Sequence, residues 1–213
     1  MNLFSFKDQL ASSKSILNRL LLIASYSNSE NVKILGSSNC DDVLKMRAGL
    51  LALNKGELID CGAAGVVLRF LALKAARLPG KHELTGDRRL FERPQEPLLH
   101  NLRQLGVRAM IKTGNNPSLT IQSNGWNKPR GALVVDRTIS SQFASAVILN
   151  AWELSFPLLV RFTSEAVSPS YMAMSLDLAR QAGMQTKFVS DNELLIAQEQ
   201  SVRPGNYQTE IDA

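Results

Sequence analysis

The chain has 213 residues, enough to bury a core as one large domain or two small ones, and its 45% hydrophobic and 20% charged content suits a globular protein. No apolar run of about 18 residues is present to cross a membrane, and MNLFSFKDQL lacks the basic-then-apolar pattern of a signal peptide. A formal net charge of +5 comes from 24 basic and 19 acidic residues, but the basic ones are scattered, with small knots at GDRRLFER and NKPRG and no aromatic interleaving, which favours anionic small molecules over nucleic acid or a membrane surface.

In chain order, apolar spacing predicts a first helix over 13–27, opened by Ser12-Ser13-Lys14-Ser15, with Arg19 one turn further on the same face. A strand, VKILG, follows. A helix over 41–53 starts at Asp41-Asp42, which reads as an N-cap with favourable first-turn charge rather than as a catalytic carboxylate pair. A third helix, over 63–78, is opened by Cys61-Gly62-Ala63-Ala64-Gly65 and carries Arg69. After the strand HELTG comes TGDRRLFERPQEP, read as a loop presenting Arg88, Arg89 and Arg93 before a helix over 95–105 that begins near Pro94. Strands VRAMIK, SLTIQ and ALVVD lead to a helix over 140–154, opened by Ser140-Ser141-Gln142. PLLVRF, a helix over 169–182 opened by Ser168 and Tyr171 in SPSYM, and strands MQTKFV and ELLIA complete the pattern.

Two blocks match each other. LRQLGVRAMIKTGNNPSLTIQ, from Leu102, and ARQAGMQTKFVSDNELLIAQ, from Ala179, both read helix end, Arg-Gln-x-Gly, strand, polar turn, strand. The offset from Arg103 to Arg180 is nearly that from Gly62 to Ser140, so whole units recur. A third, less clear copy fits 13–61, giving repeats of about 13–61, 62–139 and 140–211. Gly106 and Gly183 stand where a helix C-terminus wants a left-handed residue.

If the units are equivalent, so are the starts of their first helices: SSKS, CGAAG and SSQ. Small residues there let an anion approach unpaired backbone N–H groups at the positive end of the helix dipole. A serine at such a place is by itself most simply a cap. Three such starts at equivalent positions, one with Lys14 and Arg19 added, point instead to anion binding. Two cysteines, Cys40 and Cys61, fit a reduced cytoplasmic protein, and two histidines, His82 and His100, argue against a His-rich metal site and most histidine catalysis. No convincing general acid or base is present.

The motifs SKSILNR, DDVLKM, GAAGVVLR, TGDRRLFERP, DRTISSQF and VSPSYMAMSLDLARQAG together resemble the enolpyruvyl transferase family, and within it the enolpyruvylshikimate-phosphate synthases. The resemblance covers the chain from about Ser12 to Ala213 and matches the first half of the family's proteins. It implies an α/β (α+β) pseudo-three-fold domain of three βαβαββ units, an inverse α/β barrel, over 13–213, with residues 1–12 pairing with a second domain. The implied reaction moves the enolpyruvyl group of phosphoenolpyruvate to the 5-hydroxyl of shikimate 3-phosphate, through a tetrahedral intermediate, in the shikimate pathway that leads to chorismate and aromatic amino acids. No metal or organic cofactor is implied, and no nucleic acid or membrane partner.

By the same resemblance Lys14 touches both substrates, and Ser15 and Arg19 hold the shikimate carboxylate side. Ser140, Ser141 and Ser168 hold the phosphate region, with Tyr171 nearby, and Gln142 bridges the two ligands. Gly65 and Arg89 bind phosphoenolpyruvate, supported by Arg69 and Arg93. The chain departs from the family where Ala63-Ala64-Gly65-Val66 replaces Asn-Ala-Gly-Thr, which removes an amide and a hydroxyl beside the phosphoenolpyruvate site. The family's catalytic carboxylates lie in its second half, so the resemblance implies a fragment, inactive alone, whose partner is the C-terminal domain. A non-catalytic scaffold of the same fold is the competing reading.

Overall fold

The computed structural model describes residues 12–27, 31–163 and 167–209. The segment expected to pair with a second domain therefore lies, apart from Ser12, outside the described residues. The elements run α1 (Lys14–Ala24), β1 (Val32–Leu35), α2 (Asp41–Lys55), β2 (Ile59–Asp60), α3 (Gly65–Ala75), β3 (Pro79–Thr85), α4 (Arg88–Glu92) and α5 (Glu96–Gln104). They continue with β4 (Arg108–Lys112), β5 (Ser118–Asn124), β6 (Leu133–Asp136), α6 (Gln142–Leu149), β7 (Leu158–Thr163), α7 (Pro169–Gln181), β8 (Thr186–Ser190), β9 (Glu193–Ile196) and β10 (Gly205–Gln208). None of the described helices is long and apolar enough to cross a membrane.

Three helices are apolar on nearly every side, and such helices belong in the interior. Every residue of α3 is buried, as is α6 from Phe143 to Leu149, and α1 is buried from Ile16 to Leu20 and at Leu22 and Ile23. These three touch one another at the centre of the core; α2 packs on α1 and α3, and α7 on α6 and α1.

Sheets close the outside. Two have four strands and the same order, β2-β3-β5-β4 and β6-β7-β9-β8, each a parallel pair followed by antiparallel neighbours. Their inner faces follow the two-residue alternation of a half-buried strand: Leu119 and Ile121, Leu133 and Val135, Leu158, Val160 and Phe162, Leu194 and Ile196 are all buried. The free backbone edge of β6 is met by the Gln104 side chain of α5, which donates to Val134 O at 2.8 Å and accepts from Val134 N at 2.9 Å. The remaining sheet has two strands, β1 and β10, in parallel, so β10, within the span read as the third repeat, sits beside a strand of the first.

The eight strands and six helices anticipated from the sequence are present. Gly106 and Gly183, at φ 74° and 105°, end α5 and α7 in the left-handed region. Two readings change. The arginine-rich segment read as a loop folds as the short helix α4, with Arg88 and Arg89 inside it and Arg93 just after it, and the next helix begins at Glu96 rather than near Pro94. Cys40, not Asp41, occupies the N-cap of α2, with Asp41 and Asp42 in its first turn, where their charge still complements the dipole.

At the end away from the helix mouths, the C-termini of the central helices are tied together. Tyr26 Oη donates to Asn150 Oδ1 at 2.6 Å, and Asn150 Nδ2 donates to Phe70 O at 3.1 Å and Ala146 O at 2.8 Å. Lys74 Nζ donates to Ser25 O at 3.0 Å and lies over the Tyr26 ring, and Arg77 reaches Asn150 O and Glu153 O. Cations thus meet the carbonyl ends of α1 and α6, where the dipole favours them.

Asn150→Ala should lower stability by about 3 kcal/mol in urea denaturation, because three buried partners lose their bonds together. Burial, with repulsion from Arg77, pushes the Lys74 pKa down from 10.5 to about 7. Above pH 7 the unfolded chain then holds a proton that the folded chain lacks, so stability rises with pH toward the unfolded value. Between pH 7 and 9, wild type should gain stability relative to Lys74→Met by up to about 1.4 kcal/mol per pH unit; a constant gap would mean Lys74 stays charged when folded.

Candidate functional site

The starts of α1, α6 and α7 converge on one cavity of ≈ 390 Å³. It is lined by Lys14, Ser15 and Arg19 from α1, by Ser140, Ser141 and Gln142 at the start of α6, and by Ser168 and Tyr171 at the start of α7. All eight were singled out from the sequence. Asn18, Asp42, Val66, Ile139 and Val167 complete the wall; of these the sequence drew attention only to Asp42, as an N-cap, and to Val66, as a departure from the family.

The helix starts are open. No side chain caps the first N–H groups of α1 or α7. At α6 the Ser140 Oγ accepts from Gln142 N at 3.2 Å, so this serine does cap, and its own O–H remains a donor. Ser168 holds a left-handed backbone, φ 54° and ψ 64°, an uncommon strain for a residue with a Cβ, and one that recurs at ligand sites.

Arg19 is the electrostatic centre. It is 3% exposed, and its guanidinium donates to Ser175 Oγ at 2.7 Å, Ser15 O at 2.8 Å and Tyr171 O at 3.2 Å. Three of its five N–H donors are thereby fixed, leaving two. Its charge faces rings rather than acids, 5.7 Å from the centroids of both Phe70 and Tyr171. Burial lowers its pKa to about 10, so it stays a cation at neutral pH. Ser175 Oγ lies 2.7 Å from Ser145 Oγ and 2.8 Å from Tyr171 O and donates its single hydroxyl proton to one of them at a time, and both serines are fully buried. A buried cation with neutral partners favours an anion beside it.

Lys14 contrasts with Arg19. Its side chain is largely exposed at the cavity rim, with Nζ 3.7 Å from Asp42 Oδ2, a contact too wet to hold it firmly. Lys14 can therefore leave Asp42 for a ligand. Asp42 is the carboxylate in the cavity wall, which the N-cap reading of its sequence position concealed.

A second cluster adjoins the first through Gln142. Arg69, 6% exposed, donates to Gln142 Oε1 and lies 4.5 Å from the Phe143 ring centroid. This bond turns the amide nitrogen of Gln142 to other partners, and Gln142 lines the cavity. Burial first, and then the nearby Arg93 charge, bring the Arg69 pKa down to about 10. Gly65 stands at the meeting point: a Cβ there would lie 3.3 Å from Arg69 Nη1 and from Gln142 Oε1, and 3.5 Å from Arg93 Nη1. Gly65, Arg69, Arg93 and Gln142 are thus brought together. Arg89 is not: it is exposed on α4 and does not line the cavity. Its neighbour Arg88 pairs with Glu92 at 2.8 Å.

Helix starts, serines and the buried Arg19 thus gather around one cavity of a mixed α/β domain, with Arg69 in the cluster beside it, and the fold is that of the enolpyruvyl transferases. Solved structures share the fold. EPSP synthase from Acinetobacter baumannii superimposes with a TM-score of 0.77 at 16% identity, covering 98% of this chain and 51% of its own. The enolpyruvyl transferase NikO from Streptomyces tendae gives 0.66 at 14% identity, over 98% and 52%. In sequence, residues 50–213 match the EPSP synthase (3-phosphoshikimate 1-carboxyvinyltransferase) family, and the chain belongs to that family. A 3-phosphoshikimate 1-carboxyvinyltransferase of Bacteroides fragilis is 34% identical over 190 residues, which span 88% of this chain and 45% of that protein. One from Vibrio cholerae is 29% identical over 239 residues, spanning 100% and 55%. The chain thus covers about half the length of the relatives it matches.

If the cavity takes an anion beside Arg19, inorganic phosphate should raise the melting temperature of this chain. At a hundred times its Kd the gain is about 2.7 kcal/mol. In a thermal-shift titration Arg19→Met should abolish the effect, and an unchanged effect would place the anion elsewhere.

Proposed function

We propose that this chain supplies the shikimate 3-phosphate-binding half of a 3-phosphoshikimate 1-carboxyvinyltransferase. The observation that carries the reading is the buried Arg19, held among the described residues by neutral partners, in a cavity walled by Ser15, Ser140, Ser141 and Ser168. Lys14 and Arg19 hold the anionic groups of shikimate 3-phosphate, with Ser15 on the carboxylate side. Ser140, Ser141 and Ser168 donate to the phosphate, beside Tyr171. Gln142, its oxygen held by Arg69, turns its amide N–H groups toward the junction of the two substrates. Gly65 leaves room for phosphoenolpyruvate near Arg69 and Arg93, and Arg89 joins it from α4.

In the addition the 5-hydroxyl oxygen bonds to C2 of phosphoenolpyruvate as its proton leaves to a base and C3 takes a proton from an acid; in the elimination C3 gives up a proton, the C2–C3 double bond re-forms and the bond from C2 to the phosphate oxygen breaks. Fixed cations and helix ends stabilise the charge on both substrates through these steps. Both proton transfers need an acid and a base. Among the described residues Asp42 is the single carboxylate in the cavity wall, and it sits against Lys14. We therefore assign proton transfer to residues in the half of the relatives' length that this chain does not cover, and the chain alone should bind without turnover. A soluble cytoplasmic setting, with that second half as partner, belongs to this proposal.

NMR titration with shikimate 3-phosphate should shift amides near Ser15, Ser140 and Ser168. Lys14→Ala and Ser141→Ala should each weaken binding about tenfold, the scale of one hydrogen bond to a charged group. Absence of shifts at millimolar ligand would refute the reading. A non-catalytic role has one observation in its favour, the apolar Val66 in the cavity wall. Mixing the chain with a complementary C-terminal half separates the two: phosphate release supports the transferase, and stable assembly without release supports the scaffold.

A further inference from the structure

Asn18 has no evident structural reason to be where it is. It sits in α1 between the apolar Leu17 and the cation Arg19, 1% exposed, and its Oδ1 is buried with no hydrogen-bond partner among the described residues. Asparagine gains little in a helix interior unless its side chain is used, and buried polar atoms are rarely left unpaired. A few other buried side-chain atoms are also unpaired, among them Arg69 Nε, Gln95 Oε1 and Trp152 Nε1. Asn18 is the one among them whose residue also lines the cavity.

The chemistry of the wall says what it waits for. Around Asn18 the cavity offers cations, Lys14 and Arg19, and hydroxyl donors such as Ser15 and Ser141, all suited to anionic oxygens. A neutral amide oxygen repels those same oxygens and accepts only from an O–H or N–H. Asn18 lines the cavity, and its χ2 is broad and two-fold, so its amide oxygen and nitrogen can exchange places without breaking a bond at Oδ1. We propose that Asn18 is a specificity residue: a ring hydroxyl of the bound ligand donates to its Oδ1, so the site selects a hydroxylated phosphorylated ring acid over a bare phosphate or a deoxygenated analogue. The proposal rests on the shikimate 3-phosphate reading above. Sites built to pair a substrate hydroxyl discriminate strongly against ligands that lack it, because the partner is then left buried and unpaired.

The test uses the whole chain and the variant Asn18→Leu, of similar volume, with Asn18→Ala where leucine does not fit. Calorimetry gives Kd for inorganic phosphate, for shikimate 3-phosphate, and for an analogue lacking one ring hydroxyl; a thermal scan gives stability. The variant should melt at or above wild type, because an unpaired acceptor is gone, and should bind inorganic phosphate unchanged. It should bind shikimate 3-phosphate at least about tenfold more weakly and should lose the wild-type preference over the deoxygenated analogue. Equal shikimate 3-phosphate affinity in variant and wild type, or a preference that survives the substitution, overturns the role of Asn18 alone. A large drop in melting temperature with both affinities lost together makes Asn18 structural and also overturns it. Wild type that binds phosphate but not shikimate 3-phosphate overturns the functional reading, and this proposal with it.

Discussion

Three buried helices that run the same way set the terms for everything else. Burying α1, α3 and α6 side by side brings their N-terminal N–H groups to one end and their carbonyls to the other. Neither end can be left unpaired. At the carbonyl end the chain solves the problem internally, with Asn150 bridging Tyr26, Phe70 and Ala146 and with Lys74 and Arg77 added. At the N–H end it adds small residues and more positive charge instead. Apart from the Ser140 cap on α6, that end opens on the cavity, where water or, on the proposed function, an anion completes it.

The way the arginines are held supports this division. A structural ion pair would neutralise Arg19 or Arg69. Each is instead fixed by neutral oxygens and aromatic faces: Ser175 and the Phe70 and Tyr171 rings for one, Gln142 and Phe143 for the other. Rings and hydroxyls orient a guanidinium while leaving its charge intact. Gln142 belongs to both arrangements, so ordering around Arg69 is passed to the cavity that contains Arg19.

Much of this was legible in the sequence, and the exceptions share causes. Long elements with a clear period, such as α3 or β7, announce themselves. The strand β2 has two residues and α4 has five, too few for any period to show. GNYQ, which forms β10, looks like a loop because its ladder is supplied by β1, far away in the sequence. The site residues found early were those at helix starts, where small residues and a charge look out of place. Ser145 and Ser175 were missed because a serine inside an apolar helix passes for a small core residue. Their bonds to each other and to Arg19 span 30 and 156 positions, beyond any local pattern. Asp42 was hidden by a local explanation that is true but incomplete: a first-turn acid can favour its helix and face a ligand at once.

The pairing of β10 with β1 has a consequence for how the protein is made. Val32 lies opposite Gly205, so the strand that follows α1 cannot complete its sheet until residues as far as Gly205 have left the ribosome. The two four-stranded sheets close over shorter spans and can form while synthesis continues. The helix that carries Lys14 and Arg19 is therefore synthesised before the other described helices and is among the last to be secured. Until then the growing chain holds Lys14 and Arg19 without the walls that would select what binds there.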